Sequence, residues 1–470
     1  MIKSLLVSAF CGMVMGQMYA QHYELTSTTV SEPWKTEKVR FDIKNNSNLK
    51  VYNLEISEED KDQQMIGFGG CFNELGWEAL KLISTDERND LLMTLFDPDE
   101  ANFCYNRFPI GASDYSSGFY SFNEVDGDFE MKNFSIARDR NCLIPYIKMA
   151  QAINPDMTFF ASPWCPPSWM KTNNHYASIS SAQYNNLPTY NQSVTNTTGF
   201  KMLRGYLDSY ALYFSKFLDA YEKEGIKVTD LHVQNEVIAE QIFPSCIWTP
   251  EDLSLFISDY LGPRFENEGR NVNIWLGTLN VGDPDYVTRA FNNKKVLKYI
   301  KGIGFQWDGK KAISTIHKKY PDMQLIQTEN ECGGGENNWS SALHMWNLMK
   351  IYINAGARAY IYWNFVLQNP GVSYWGWKQN SMVTIDVKTK KVTYNPEFYL
   401  MKHFSHYIKK GAYKLSLSGY EDALAFSNPD GTHIVVVANR SNSDEFLNIT
   451  LKDKNLKVCL KANSFNTIKF

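Results

Sequence analysis

A chain of 470 residues, 44% hydrophobic and 21% charged, holds enough apolar mass for a large core and excludes an intrinsically disordered protein. The formal net charge of −4 leaves no basic field to hold nucleic acid or to draw the chain onto an anionic membrane. Aromatic residues make up 14%, with 12 Trp and 27 Tyr, a content that suits either a big core or flat surfaces for sugar rings.

The first residues place Lys3 before an apolar run from Leu5 to Met15, followed by Met18-Tyr19-Ala20 and Gln21. This is the pattern of a secretory signal peptide cleaved near Ala20, so residues 1–20 are expected to be a leader and the mature protein secreted or periplasmic. The run is too short to span a bilayer, and no other segment is a candidate, so stable membrane insertion is not expected. Cys11 follows Phe10, a poor match to a lipoprotein signal. The remaining cysteines (71, 104, 142, 165, 246, 332 and 459) are odd in number and scattered without a CxxC, which favours buried thiols over disulfides or zinc.

From Tyr23 to Ile56 the chain alternates in the manner of β-strands, with Val39–Ile43 and Leu49–Leu54 separated by an Asn45-Asn46-Ser47-Asn48 turn. Residues 21–63 are therefore assigned to an antiparallel sheet. From residue 64 short apolar strands alternate with helical patterns. The strands are expected at Met65–Gly70, Phe103–Ala112, Met157–Trp164, Thr229–Glu236, Val272–Asn280, Gly302–Trp307, Met323–Glu329 and Ala357–Phe365. Helices are expected at Glu74–Phe96, Asp139–Ile153, Phe200–Glu224, Pro250–Asn267, Pro284–Tyr299, Lys311–Tyr320, Trp339–Ala355 and Pro396–Ile408. Eight strand–helix units over 64–409 are the arithmetic of an α/β fold of the eight-stranded β/α (TIM) barrel type, in which functional groups sit at the C-terminal strand ends. An open doubly wound sheet is disfavoured, since no Gly-rich dinucleotide turn follows the first strand. Residues 410–470 return to short strands and turns such as Asn428-Pro429-Asp430-Gly431. They are expected to pair with the N-terminal strands as an accessory antiparallel β-sandwich built from both termini.

The chain has no GxSxG, P-loop, HExxH or acidic calcium loop, and its eight His are dispersed, so neither metal nor cofactor is expected. Polar and aromatic groups instead collect at strand ends: Arg107 and Asp114 after the second strand, Trp164 after the third, Asn235 and Glu236 after the fourth. Gln306 and Trp307 follow the sixth, Glu329 the seventh, and Trp363 and Asn364 the eighth, with Trp307, Trp363 and Asn364 expected to contact substrate. Leu325-Ile326-Gln327-Thr328 runs straight into Glu329, and Leu231 to Asn235 runs into Glu236. Two carboxylates on opposite inner walls suit glycosidic cleavage, one as nucleophile and the other as acid and then base, about 5–5.5 Å apart in the retaining version. Burial and the Glu329 charge would raise the pKa of Glu236, Arg107 would hold Glu329 ionised, and Asn235 would reach the sugar 2-hydroxyl. Glu331 is the alternative nucleophile, on the same face but beyond the strand end. Trp248, Tyr374, Trp375 and Trp377 lie in loops where they would either stack further sugars or pack the loops themselves.

The segments GFGGCFNE (67–74), YNRFPIGASDYS (105–116), SPWCPPSWMKTN (162–173), VQNE (233–236), TPEDLSLFISDYLGP (249–263), LIQTE (325–329) and YWNFVLQNPG (362–371) resemble glycoside hydrolase family 30, the family of lysosomal glucosylceramidase. The resemblance runs from residue 67 to the C-terminal sheet and implies a β/α barrel with a side β-sandwich. It also implies Glu329 as nucleophile, Glu236 as acid/base, and Asp114, Trp164, Asn235 and Trp363 as positions that hold the glycone. The chain departs from the lysosomal pattern at Gln306-Trp307-Asp308 and at Val237, on the leaving-group side. The resulting expectation is a retaining β-glycosidase acting on a carbohydrate or glycolipid, either a glucosylceramide-like β-glucoside or β-1,6-glucan. The alternatives are a β-xylosidase, xylanase or β-fucosidase of the same family, or a carbohydrate-binding barrel without turnover.

Overall fold

A computed structural model of the protein describes residues 23–39, 50–452 and 454–470. The expected leader (1–20), the Arg40–Ile43 part of one expected strand and the turn at Asn45–Asn48 lie outside the described residues.

Eight parallel strands form the centre: β1 (Gly67–Cys71), β2 (Tyr105–Pro109), β3 (Thr158–Ser162), β4 (Val228–His232), β5 (Asn273–Leu279), β6 (Ile300–Gln306), β7 (Gln324–Glu329) and β8 (Ala359–Asn364). They pair in the order β7-β6-β5-β4-β3-β2-β1-β8. The seam between β7 and β8 closes through one bridge, Leu325 with Ala357, and through the Gln327 side chain, whose Oε1 accepts the Ile361 N–H at 2.6 Å. Each expected strand is present, with its ends shifted by a few residues; Ile300–Gln306, for example, begins two residues before the expected Gly302. Inside the barrel Tyr105, Phe160, Trp275, Ile326, Ala359 and Ile361 pack as one cluster, while the outward faces carry the helices and the main core. The strands approach closely enough to require glycine. A Cβ at Gly304 on β6 would lie 2.6 Å from Thr328 Cγ2 and 2.8 Å from the Gly277 carbonyl oxygen.

Four expected helices are interrupted. Pro284–Tyr299 becomes the helix Asp285–Ala290 and a 3-10 turn at Lys294–Lys298, and Asp139–Ile153 a 3-10 turn at Asp139–Asn141 and the helix Leu143–Ile153. The two others break for reasons readable in the chain. The segment Glu74–Phe96 is two helices, Glu74–Leu80 and Thr85–Phe96, because Ser84 and Glu87 form a reciprocal capping box that starts a new one. Pro250–Asn267 passes through a π-turn at Ile257–Leu261 before Gly262, where Pro263 supplies no N–H to the ladder. No helix among the described residues is long and apolar enough to cross a membrane.

The accessory module is a nine-stranded sheet drawn from both ends of the chain, curled over its own core of Leu54, Leu415, Val435, Leu447, Val458 and Ile468 among others. Tyr23–Thr29 pairs with Ser464–Lys469, and Lys50–Gln64 lies between Tyr413–Ser418 and Glu445–Leu451. The expectation of an antiparallel sheet needs one correction: the strands Lys50–Gln64 and Glu445–Leu451 run parallel, with Lys50 opposite Glu445 and Glu55 opposite Thr450. Strands contributed from opposite ends of a chain need no hairpin between them, so nothing forces them to be antiparallel. The module is tied to the barrel by the helix Pro396–Ser405. His403 on that helix bonds Thr28 Oγ1 at 2.9 Å and Thr467 Oγ1 at 2.8 Å, one partner from each end of the chain. The seven cysteines from Cys71 onward are all free thiols, most of them buried.

Candidate active site

Glu329 ends β7, and three donors converge on its carboxylate. Arg107 Nη1 donates to Oε2 at 2.7 Å, Gln306 Nε2 to the same oxygen at 3.2 Å, and Trp307 Nε1 to Oε1 at 3.1 Å. Arg107 comes from β2, and Gln306 and Trp307 from the end of β6 and the turn after it, which is how a parallel barrel aims side chains from several strands at one point. Trp307 reaches the carboxylate from a left-handed backbone, φ 49°.

Arg107, fully buried on β2, is the hub of this face. Its Nε and Nη2 donate to Ser162 Oγ at 3.2 and 2.9 Å, Nη1 also to the Thr328 carbonyl at 3.1 Å, and Nη2 to Asn235 Oδ1 at 2.6 Å. A buried guanidinium is tolerable only when its donors are matched in this way. The planar faces are covered too, with Trp164 4.6 Å and Trp363 5.4 Å from the guanidinium carbon.

Asn235 Oδ1 collects three donors, from Arg107, Thr278 Oγ1 (2.9 Å) and Gln306 Nε2 (3.2 Å). That orientation fixes its amide and leaves Nδ2 without a hydrogen bond to the described residues. Glu236 follows in a left-handed conformation, φ 48°, its N–H held by the Thr278 carbonyl at 3.0 Å. Its carboxyl pKa is pushed up to about 8, first by burial and then by the Glu329 charge, with a Gln306 hydrogen bond and Arg107 opposing. Asp114 is also driven well above the ordinary carboxylate range by burial and by the Glu329 and Glu236 charges.

Glu236 and Glu329 line one cleft of about 480 Å³, together with Asp114, Trp164, Trp307 and Gln379. Asp114 Oδ1 and Trp363 Nε1 are buried there or just behind it without a hydrogen-bond partner among the described residues. Trp363 packs on Trp164 with ring centroids 5.1 Å apart. The structure thus gathers Arg107, Asp114, Trp164, Asn235, Glu236, Gln306, Trp307, Glu329 and Trp363 around one point.

Asn364 is placed differently from the expectation that it binds substrate. Its Oδ1 accepts from Asn73 at 2.9 Å, and its Nδ2 donates to Gln379 Oε1 at 3.0 Å and to the Asn380 carbonyl at 3.1 Å. With its whole amide consumed internally, Asn364 fixes the loop that follows β8. Glu331 reaches the rim of the cleft, but Lys310 and His344 Nε2 (3.1 Å) hold its two oxygens apart from Glu329. Trp248 and Trp375 are buried and pack loops and helices, whereas Trp377 lines the cleft and Tyr374 is exposed.

Sequence reasoning missed Ser162, which accepts from Arg107, and Thr278, which donates to Asn235 Oδ1. Both end barrel strands, and Thr278 belongs to β5, one of the strands to which no polar group had been assigned. It also missed Asn380, whose Oδ1 accepts the Gly335 and Asn337 N–H groups while its Nδ2 donates to buried Glu397. No local pattern marks that residue.

A parallel β/α barrel with two carboxylates at the ends of its fourth and seventh strands, flanked by a β-sandwich, has the build of a glycoside hydrolase. Two family descriptions match the chain, the glycosyl hydrolase family 30 TIM-barrel domain over residues 65–408 and the family 30 beta sandwich domain over 411–468. The chain belongs to glycoside hydrolase family 30. It is 30% identical to putative glucosylceramidase 1 of Caenorhabditis elegans over 83% of this chain and 76% of that protein. It is 26% identical to the endo-1,6-beta-D-glucanase neg1 of Aspergillus fumigatus over 83% and 81%. Among solved structures, SrfJ from Salmonella typhimurium superposes with a TM-score of 0.84 at 25% identity, covering 96% of this chain and 99% of SrfJ. The endo-beta1,6-glucanase BT3312 superposes at 0.79 with 24% identity, covering 95% and 99%.

Proposed function

We propose that the protein is an exported retaining β-glycosidase that cleaves β-glucosidic bonds by double displacement. Glu329 attacks the anomeric carbon while Glu236 protonates the departing oxygen. Water, deprotonated by Glu236, then releases the sugar from the Glu329 ester. The observation that carries this reading is that Glu236 and Glu329 line one cleft, close enough for the Glu329 charge to raise the Glu236 pKa. A retaining pair works at ~5–5.5 Å, whereas an inverting pair stands ~6.5–9.5 Å apart to admit its water.

The electrostatics support the change of role. Part of the upward push on Glu236 is the Glu329 charge. Esterifying Glu329 removes that charge, so Glu236 becomes more acidic at the moment it must act as a base. Asp114, Trp164, Trp363 and the free Asn235 Nδ2 are assigned to the glycone, and Arg107 and Gln306 to positioning the carboxylates. The glucosylceramidase and 1,6-glucanase names of the relatives support a glucosyl glycone, and the leader-like residues 1–20 support export with cleavage near Ala20.

Glu329→Gln is expected to abolish release from a chromogenic β-glucoside that the parent hydrolyses. NMR of the first product should show the β-anomer. An α first product would contradict the retaining reading, and an inactive parent would contradict the enzyme reading.

A further inference from the structure

After β8 the chain makes a tight hairpin. Val372 bridges Lys378, the Ser373 N–H donates to the Trp377 carbonyl at 2.8 Å, and the Gln379 N–H donates to the Gly371 carbonyl at 3.1 Å. The base of the hairpin is anchored by Asn380, whose N–H donates to the Cys332 carbonyl at 2.7 Å, and by Asn364 on Gln379 and Asn380. Trp375 is the buried pillar, 1% exposed, with Phe119 5.3 Å away on one side. Trp377 lies 6.4 Å from it with the rings 20° from parallel, and Tyr374 stands edge-on to it at 5.1 Å and is 53% exposed.

Trp377 and Tyr374 both keep ring surface exposed while Trp375 keeps almost none. Trp377 is half-buried and lines the cleft that holds Glu236 and Glu329. Its ring packs 4.8 Å from that of Phe243, in the loop that carries Glu236 out of β4, so it stands on the Glu236 side of the cleft that both line. The same cleft is lined by hydrogen-bonding side chains, among them Gln241, Asn280, Lys310, Glu331 and Gln379. Flat aromatic surface bordered by amides and charges matches a sugar ring, with its apolar face and its hydroxyl edge. It does not match an alkyl chain, which would leave those polar groups desolvated and unpaired.

We infer that the hairpin 372–378 is a preformed binding site for the sugar on the leaving-group side, with Trp377 under the first ring and Tyr374 under the next. The inference rests on the glycosidase reading above and narrows it: the aglycone is carbohydrate, and the enzyme works on chains. Because the hairpin is fixed before substrate arrives, little of the stacking is lost to ordering the loop.

The test compares β-glucosyl fluoride, which has no aglycone to stack, with glucose oligomers linked β-1,3, β-1,4 or β-1,6. The parent should turn over the fluoride and should gain kcat/KM with chain length in at least one oligomer series. Trp377→Ala should leave fluoride turnover nearly unchanged and cut kcat/KM for that series by about tenfold, the value of one aromatic contact. Trp377→Phe should restore most of it, and Tyr374→Ala should affect only oligomers longer than the dimer. Equal losses on fluoride and oligomers would show that the ring merely holds the site together and would overturn the inference. So would a parent indifferent to chain length in all three series, or one in which the hairpin matters only for glucosylceramide in micelles. A parent that cannot hydrolyse the fluoride at all would defeat the glycosidase reading itself, a different result from any of these.

Discussion

Trp307→Phe isolates one donor. The indole N–H reaches Glu329 Oε1 at 3.1 Å, while the other two donors converge on Oε2. The substitution keeps the ring and removes the only hydrogen bond to that oxygen among the described residues. A hydrogen bond to a charged group contributes about 1.5–3 kcal/mol. Trp307 is half-buried and opens onto the cleft, so water can partly replace the lost N–H, and the low end applies. At about 1.4 kcal/mol per factor of ten, the expected loss is roughly tenfold. Its distribution between the two chemical steps is the informative part. Without the donor the free carboxylate is more basic, so attack on the sugar is little affected. Departure of that carboxylate from the ester needs the donor most, so the second step slows. With an activated aryl β-glucoside, kcat should therefore fall about tenfold, KM should fall with it as the glycosyl-enzyme accumulates, and stopped-flow should show a burst of aryl alcohol. A kcat within twofold of the parent, or a loss as complete as that of Glu329→Gln, would refute the reasoning.

The raised Glu236 pKa has consequences for both activity and stability. Glycosylation requires the protonated form, so kcat/KM should decline on the alkaline side as pH rises through a value near 8. The folded chain keeps on Glu236 a proton that the unfolded chain releases above about pH 4.5, so this residue subtracts stability as pH rises from there toward 8. Glu236→Gln should then raise the thermal midpoint over the parent by more at pH 8 than at pH 5, and an equal shift at both would rule the linkage out. Asn380→Ala strands the Gly335 and Asn337 N–H groups and takes a donor from buried Glu397. It should cost about 1–2 kcal/mol in denaturant unfolding, the low end of the roughly 1–3 kcal/mol for an orphaned group, because both N–H groups are half-buried and water can partly replace the lost acceptor. A loss below about 0.5 kcal/mol would mean the two loops hold themselves.

Much of the barrel was legible from local pattern. Each β-strand begins and ends within a few residues of its apolar run, and the two carboxylates stand out because each closes such a run, Glu236 behind Val233-Gln234-Asn235 and Glu329 behind Gln327-Thr328. The split of Glu74–Phe96 is also written in the chain, as Ser84 and Glu87 at capping-box spacing, a local signal that outweighs the helical period running across it. The parallel pairing of Lys50–Gln64 with Glu445–Leu451 was not legible, because strands so distant in sequence carry no turn to set their direction.

Residue type and strand-end position were enough to say which side chains would meet at the mouth of the barrel, since both follow from backbone periodicity. They were not enough to say what each would do there. Trp307, Trp375 and Trp377 are the same amino acid in loops of similar composition, yet one donates to a carboxylate, one is a buried pillar and one faces the cleft. Asn235 keeps a free amide nitrogen while Asn364 has none. Those outcomes depend on which distant donors and rings arrive beside each residue, and only the assembled packing of all eight strand ends specifies that.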